Sequence, residues 1–476
     1  MKVLLLNPPS FEDFDGGAGS RYQATREVRS FWYPTWLAYP AGMMPGSRVL
    51  DAPAAGLSVA ETLELAKGYD LFVLYTSTPS LENDSAIADK IKAQDPKAVV
   101  CFVGPHPSVL PEETLAACPS LDFVVRGEFD YVVPEVAGDR PLADVAGISW
   151  RGPGGAITHN PDRPLIHDLD PLPFVSEIYK RDLNYKDYVI PWIQYPYVSI
   201  YTGRGCSSKC IYCLWPQTYS GNAYRTRSVD NVMAEVKYIA ENFPEVKEIF
   251  FDDDNFTEDQ PRAIEIANRM KPLGISWGCN AKVTAKYETL KAMHEGGMRV
   301  IMVGYETGDQ AILNNVRKGT TVEQAREFTK NCKSLGIIVH GAFVLGLPGE
   351  SKESIAATIN FACDIDPDTI QVSLASPYPG TKFFDQCIKE GWLNEQLVNS
   401  SGIQNCAINY PGLDSRDIFM AVETFYKKFY YRPKYVAKVL IKAFSDFEEM
   451  KRIYQEAKEF YSFIAKRRQA IKDPVN

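Results

Sequence analysis

The 476-residue chain carries 51 Lys and Arg against 60 Asp and Glu, a formal net charge of −9, with 45% hydrophobic and 23% charged residues. At roughly 100–200 residues per domain this is length for two or three domains with real cores, and the ordinary composition excludes a disordered chain or a fibrous repeat. The acidic balance argues against a basic nucleic-acid-binding surface, so no nucleic-acid partner is expected.

No run approaches the roughly 20 apolar residues of a membrane span. The start, MKVLLLNPP, reads as a strand and not as a signal peptide. The expected location is the cytoplasm, where close thiol clusters read as metal or redox sites before disulfides.

From Met1 to about Trp150 short apolar runs (KVLLLNP from Lys2, LFVLYTS from Leu71, AVVCFVG from Ala98, FVVRGE from Phe123) alternate with helix-like segments. This predicts an open, Rossmann-like parallel sheet. Ligands of such sheets sit beyond the strands' carboxyl ends, here Asn7, Pro8, Pro9, Thr76, Ser77 and the loop Gly104–Pro107. The first strand runs into PPSFEDFDGG, which lacks the close-approach glycines of a dinucleotide-binding GxGxxG turn.

Residues 151–190 hold several Pro and Gly and read as a connector. Strand-like runs then begin near Pro196, Lys247, Ile275, Arg299, Ile337 and Thr369, each followed by a helix-like segment. Six βα units predict a partial (β/α)6 TIM barrel over 191–400, with chemistry in the loops after its strands. A helical carboxyl-terminal domain is expected over 401–476. Phe419, Val422, Tyr426 and Phe429 share one helix face there, Pro433 interrupts, and a second helical stretch runs to Lys472. Residues 421–476 carry 13 Lys/Arg against 7 Asp/Glu. The twelve Phe and Tyr of that tail suit a small helical core, an apolar pocket or a membrane surface.

The strongest signal is GRGCSSKCIYCLWPQT, in which Cys206, Cys210 and Cys213 follow the first barrel strand. Three soft thiolates from one loop can hold three corners of an iron–sulfur cube and leave the fourth iron open. Positive charge from Arg204, Lys209 or the cluster itself is expected to favour the thiolate form. Structural zinc normally takes four protein ligands, and no second CxxC-like pair occurs. A metal-stabilised binding or scaffold protein is the reading from a different class.

The triad, with Tyr212 before its last cysteine, resembles the signature of the radical S-adenosylmethionine (SAM) superfamily. The resemblance implies a [4Fe-4S] cluster whose open iron chelates SAM, and cleavage to a 5′-deoxyadenosyl radical that abstracts hydrogen from substrate. FFDDDNFT resembles the second-strand element and implies Asp253 and Asp254 near the methionine amino group. SWGCNAKV resembles the third, with Asn280, and with Lys282 where arginine is common. GYETG resembles the fourth, in which Glu306 contacts the cofactor, and VRKGTT follows it. LGLPGE and SPYPGT resemble the fifth and sixth strand ends, with Tyr378 bordering adenosine.

VGPHPSVLPEETL and VVRGEFDYVVPEV resemble the amino-terminal domain of the cobalamin-binding subclass. This implies cobalamin near Pro8, Pro9, Thr76, Ser77, Gly104, His106, Gly127 and Glu128. The histidine-ligating DxHxxG motif is missing, so cobalt is expected without a histidine beneath it, and His106 is not assigned as a ligand.

Within the subclass, CLWPQTYSGNAYRTRS and the chain length most resemble radical enzymes of hopanoid biosynthesis linked to cyclitol headgroup formation. The implied reaction contracts the glucosamine ring of a glucosaminyl hopanoid to a five-membered carbocycle. The implied partners are a hopanoid substrate, an electron donor such as flavodoxin or ferredoxin, and peripheral contact with a membrane. Phe425, Tyr426, Phe429, Tyr430 and Tyr431 are candidates for an apolar cleft. The alternatives are an anaerobic magnesium-protoporphyrin IX monomethyl ester cyclase type and a cobalamin-dependent radical methyltransferase. No catalytic residue is assigned.

Overall fold

A computed structural model describes residues 1–10, 30–393 and 405–445, with 450, 451, 454, 457–459, 461, 462 and 465. The expected helix end at Lys472 lies outside the described residues.

The front sheet contains β1 (Val3–Asn7), β2 (Arg48–Asp51), β3 (Leu71–Tyr75), β4 (Val99–Val103), β5 (Phe123–Val125), β6 (Ile148–Arg151) and β7 (Ile157–His159) in the order β2-β1-β3-β4-β5-β6-β7. Strands β1 to β5 are parallel, and β6 and β7 add antiparallel. Val3, Leu5, Leu71, Val73, Cys101 and Val103 enter the large core shared with the rest of the chain. Leu4, Leu6, Phe72, Leu74, Val100 and Phe102 form a second core with Ile87 and Ile91 of the helix Leu81–Gln94. A sheet covered on both faces needs near-continuous apolar strands, which is why these runs stand out in the sequence.

The second sheet begins with β8 (Tyr197–Ile200), which is followed by a separate two-residue antiparallel ribbon, β9 (Gly203–Arg204) with β10 (Arg225–Thr226). Strands β11 (Glu248–Phe251), β12 (Ser276–Ala281), β13 (Met298–Glu306), β14 (Ile338–Leu345) and β15 (Thr369–Leu374) follow. All six strands are parallel, in the order β8-β11-β12-β13-β14-β15, as the six-unit partial barrel requires.

One face of this sheet packs on helices: Trp277 Nε1 donates to Gly296 O, and Tyr305 meets Phe361 edge-on. The other face is open at its upper levels. Asn280, Met302, Ala342, Val344, Gln371 and Ser373 are half-buried while their strand neighbours are buried. Trp192 fills the lower end, stacked on His340 at 4.7 Å and edge-on to Phe250 at 5.2 Å.

Of the three uses open to the aromatic tail, Phe425, Tyr426, Phe429 and Tyr430 take the packed one and do not line a cleft. In the helix Ser415–Tyr430, Phe425 packs on Phe343 at 5.1 Å, and Phe429 is buried. The Tyr426 hydroxyl accepts from Val372 N at 2.9 Å, and the Tyr430 hydroxyl bonds both N and O of Ile370 at 3.0 Å. These side chains satisfy the free edge of β15, which would otherwise offer unpaired backbone groups to another strand. Tyr431 points out. Among the described residues no helix is long and apolar enough to cross a membrane.

Candidate cofactor site

The three cysteines lie in the loop between β9 and the helix Leu214–Thr218. Cys206 and Cys210 are buried, and Cys213 is half-buried. Backbone bonds tie the loop to its surroundings: Ile211 N donates to Val316 O, and Phe383 N to Ile211 O. The Gln217 amide then clamps it from within, its Nε2 donating to the carbonyls of Cys210 (3.2 Å), Ile211 (3.0 Å) and Cys213 (2.8 Å). The carbonyl of the same amide accepts from Lys382 N, after β15.

Burial pushes the Cys210 and Cys213 thiols up, and mutual repulsion among the triad adds to it. The expected help from Arg204 and Lys209 is not there: Arg204 is spent on Glu128 and Asp130, and Lys209 is exposed. The cations facing the thiols are Lys318 and Lys282. Lys318 sits on Glu306 at 2.5 Å, and Lys282 donates to Ser208 at 2.7 Å.

Among the described residues no three His, Cys, Asp or Glu side chains stand close enough to share one metal ion. Ligands of a cubane bind different irons, so three thiols that feel one another without converging on a point suit the larger group.

Glu306 occupies the left-handed region, φ 64°, uncommon for a residue with a side chain and a frequent mark of functional sites. Its carboxylate folds back over Gly304, where a Cβ would lie 2.2 Å from Oε1. Asp254 is half-buried and raises the Cys213 thiol, so it faces the triad. Asp253 does not: it accepts from Thr202 N and Oγ1, both at 2.6 Å, and from the Tyr224 hydroxyl at 2.7 Å. Asn280 donates to Asp252 and to Asp253 O. Tyr212 is hydrogen-bonded to Glu306, and Tyr378 is half-buried after β15. Lys318 and Gln217 were not singled out from the sequence, although VRKGTT and CLWPQT contain them.

At the front sheet, Pro8, Pro9, Thr76, Ser77, Gly104, His106, Gly127 and Glu128 all follow the carboxyl ends of β1, β3, β4 and β5. Gly104 (φ 114°) lets the chain pass so close to β3 that a Cβ would lie 2.6 Å from Thr76 O. His106 is buried and held neutral, its pKa lowered to about 4 by burial. Its Nδ1 bonds Thr78 Oγ1 at 3.0 Å and its Nε2 is buried without a partner. The Thr76 hydroxyl and the unsatisfied imidazole nitrogen of His106 are neutral polar groups of the kind an amide-fringed corrin ring takes, whereas the backbone N–H groups of Thr76, Ser77 and Gly127 are already bonded to Val103 O, Ser80 Oγ and Ser108 Oγ. Glu128, a carboxylate, is committed to Arg204 and Arg225.

Below these residues Asp84 is buried, accepting from Ser80 at 2.7 Å and Asn83 at 3.1 Å. Burial raises its pKa to about 7, against the lowering effect of these neutral donors. A carboxyl raised in the folded state contributes stability that is full below about pH 4 and is lost as pH climbs towards 7, on the order of 4 kcal/mol for such a shift. Asp84→Asn is therefore expected to raise the melting temperature relative to the parent at pH 8 and not at pH 4, checked by thermal melts across that range.

Comparison with known proteins agrees with this geometry. The radical SAM superfamily model matches residues 200–362 and the B12 binding domain model residues 24–137. An uncharacterized methyltransferase of Pyrococcus horikoshii is 31% identical over 451 residues, covering 92% of this chain and 94% of that protein. The chain belongs to the cobalamin-binding radical SAM family. The cytidylyl-2-hydroxyethylphosphonate methyltransferase of Streptomyces wedmorensis is 27% identical over 90% of each chain. The hopanoid C-3 methylase of Methylococcus capsulatus is 26% identical over 63% of this chain and 58% of its own. The fold is that of the radical SAM methyltransferase TsrM from Kitasatospora setae, solved with cobalamin and a [4Fe-4S] cluster: TM-score 0.64, 16% identity, 90% of this chain and 81% of that one. As a member of this family the chain is an enzyme whose cofactors are a [4Fe-4S] cluster, SAM and cobalamin.

Proposed function

We propose that the chain acts on the sugar headgroup of a glucosaminyl hopanoid and contracts its ring to a cyclitol. Cys206, Cys210 and Cys213 hold the cluster. Glu306, Asp254, Lys282, Tyr212 and Tyr378 surround SAM, and the ends of β1, β3, β4 and β5 face cobalamin. When bound, these cofactors supply the one-electron chemistry that begins with hydrogen abstraction.

The observation that carries this reading is the open face of the second sheet. Register aligns Asn280 with Met302, Ala342 with Gln371, and Val344 with Ser373. Among the described residues the half-buried upper positions are amide, hydroxyl and apolar, and the rim lysines Lys318 and Lys282 are engaged with Glu306 and Ser208. Such a chamber suits an uncharged polyol and holds it in place while solvent is kept out. The apolar body needs a second surface. Val436, Leu440 and Ile441 of the helix Pro433–Ser445, 41–72% exposed, support contact there with the polycycle or with the membrane that carries it.

Methyl transfer is the second reading, favoured by the relatives' names. Anaerobic incubation of reconstituted protein with glucosaminyl hopanoid and SAM separates the two. Ring contraction is expected to give hopanoid-dependent 5′-deoxyadenosine and a product lacking the pyranose ring. S-adenosylhomocysteine with a product heavier by one methylene establishes methylation instead, and no turnover rejects this substrate.

A further inference from the structure

Arg204 stands two residues ahead of Cys206, yet its charge is spent on the front unit. Its guanidinium, 2% exposed, donates to both oxygens of Asp130 at 2.8 and 3.0 Å and to Glu128 at 3.2 Å. It lies over the rings of Trp36 and Tyr39, 4.5 and 4.4 Å from their centroids. Arg225, opposite Arg204 in the β9–β10 ribbon, takes Glu128 with bonds of 2.8 and 3.0 Å. Ile166 N donates to the same carboxylate at 2.8 Å.

Two cations and two carboxylates thus cancel in a dry space between the units. The carboxylates belong to the loop after β5, and the cations to the ribbon that leads into the cysteine loop. The ribbon has no slack. A Cβ on Gly205 (φ 87°) would lie 2.3 Å from Ala223 O, and one on Gly203 would lie 2.6 Å from the Tyr224 ring.

None of these four charges has a part in the chemistry described above. We propose that Arg204, Glu128, Arg225 and Asp130 form a positioning network that couples the two cofactor sites, so that loading the cluster tightens cobalamin binding. This rests on the reading that the loop after β5 borders cobalamin. Metal on Cys206 fixes the chain where it leaves the ribbon, and the close-packed ribbon passes that constraint to the guanidinium. A forked donor gripping two carboxylates tolerates little rotation, so the loop after β5 is fixed in turn. By linkage the effect is reciprocal, and bound cobalamin tightens cluster binding by the same factor.

The test is equilibrium dialysis of hydroxocobalamin against the full chain, iron-free and cluster-loaded. Cluster loading is expected to lower the Kd roughly fivefold or more, within the usual range of coupling between sites. The ratio is expected to fall towards one in Arg204→Lys, which keeps the charge and loses the fork, and in the near-isosteric Asp130→Asn. Circular dichroism melts establish which variants are folded. Equal Kd values for the two wild-type forms overturn the coupling, as does an undiminished ratio in either folded variant. Absence of cobalamin binding in both forms overturns the reading of the front unit, and the coupling with it.

Discussion

Cys206→Ala is expected to lose its iron and its SAM cleavage together while the fold survives. Anaerobically reconstituted wild type should carry about four irons in the triad site, and the variant close to none. From Cys210 to Cys213 the loop does not depend on metal for its shape, since Val316 O, Phe383 N and the Gln217 amide already hold it, which leaves only its Cys206 end for metal to fix. The melting temperature of the metal-free variant is therefore expected to stay near that of the metal-free parent. Because burial raises the Cys210 and Cys213 thiols, the metal must displace their protons, and two ligands should not suffice to do so. Turnover is expected to fall well beyond the roughly 10–100-fold typical when a supporting partner of a metal site is removed. Iron analysis and 5′-deoxyadenosine release check this, and a stoichiometric zinc site in wild type would return the scaffold reading to favour.

The front sheet was legible because its parallel strands β1, β3, β4 and β5 are buried apolar runs, and the second because β13, β14 and β15 alternate buried apolar residues with half-buried ones. The strands of these two sheets that escaped, β2, β6 and β7, are short and carry polar residues such as Arg48, Arg151 and His159. The triad was legible because all three thiols come from one loop. Its cations were not. Sequence proximity pointed to Arg204 and Lys209, whereas Lys318 comes from the loop after the helix Gln310–Asn315 that follows β13, and Arg204 reaches 74 residues back to Asp130. Adjacent carboxylates posed the same difficulty. Asp253 and Asp254 are equivalent as sequence, but only the backbone path after β11 decides that the first braces Thr202 and the second faces Cys213. The tail aromatics look the same whether they line a cleft or cover a sheet edge, and the unpaired backbone of β15 decided between them.

Glu306→Gln is expected to damage the protein in two separable ways. Lys318 is buried, and although burial lowers its pKa, Glu306 and the Cys210 thiol more than offset this and hold it above the usual lysine value. Removing the carboxylate strands that ammonium, and breaking a buried pair by deleting one partner costs about 3–5 kcal/mol. Lys318→Met in the same chain removes the stranded charge and is expected to restore most of that stability in a denaturant titration. SAM affinity should behave differently. With Glu306 proposed as a SAM contact, losing a charged hydrogen bond worth about 1.5–3 kcal/mol is expected to weaken SAM binding by roughly 10–100-fold. The second substitution cannot repair that loss. The double variant is thus expected to be stable and still poor at binding SAM, measured by equilibrium dialysis. Recovery of both properties together would show that Glu306 serves only to neutralise Lys318, and its folding back over Gly304 would then be a feature of packing alone.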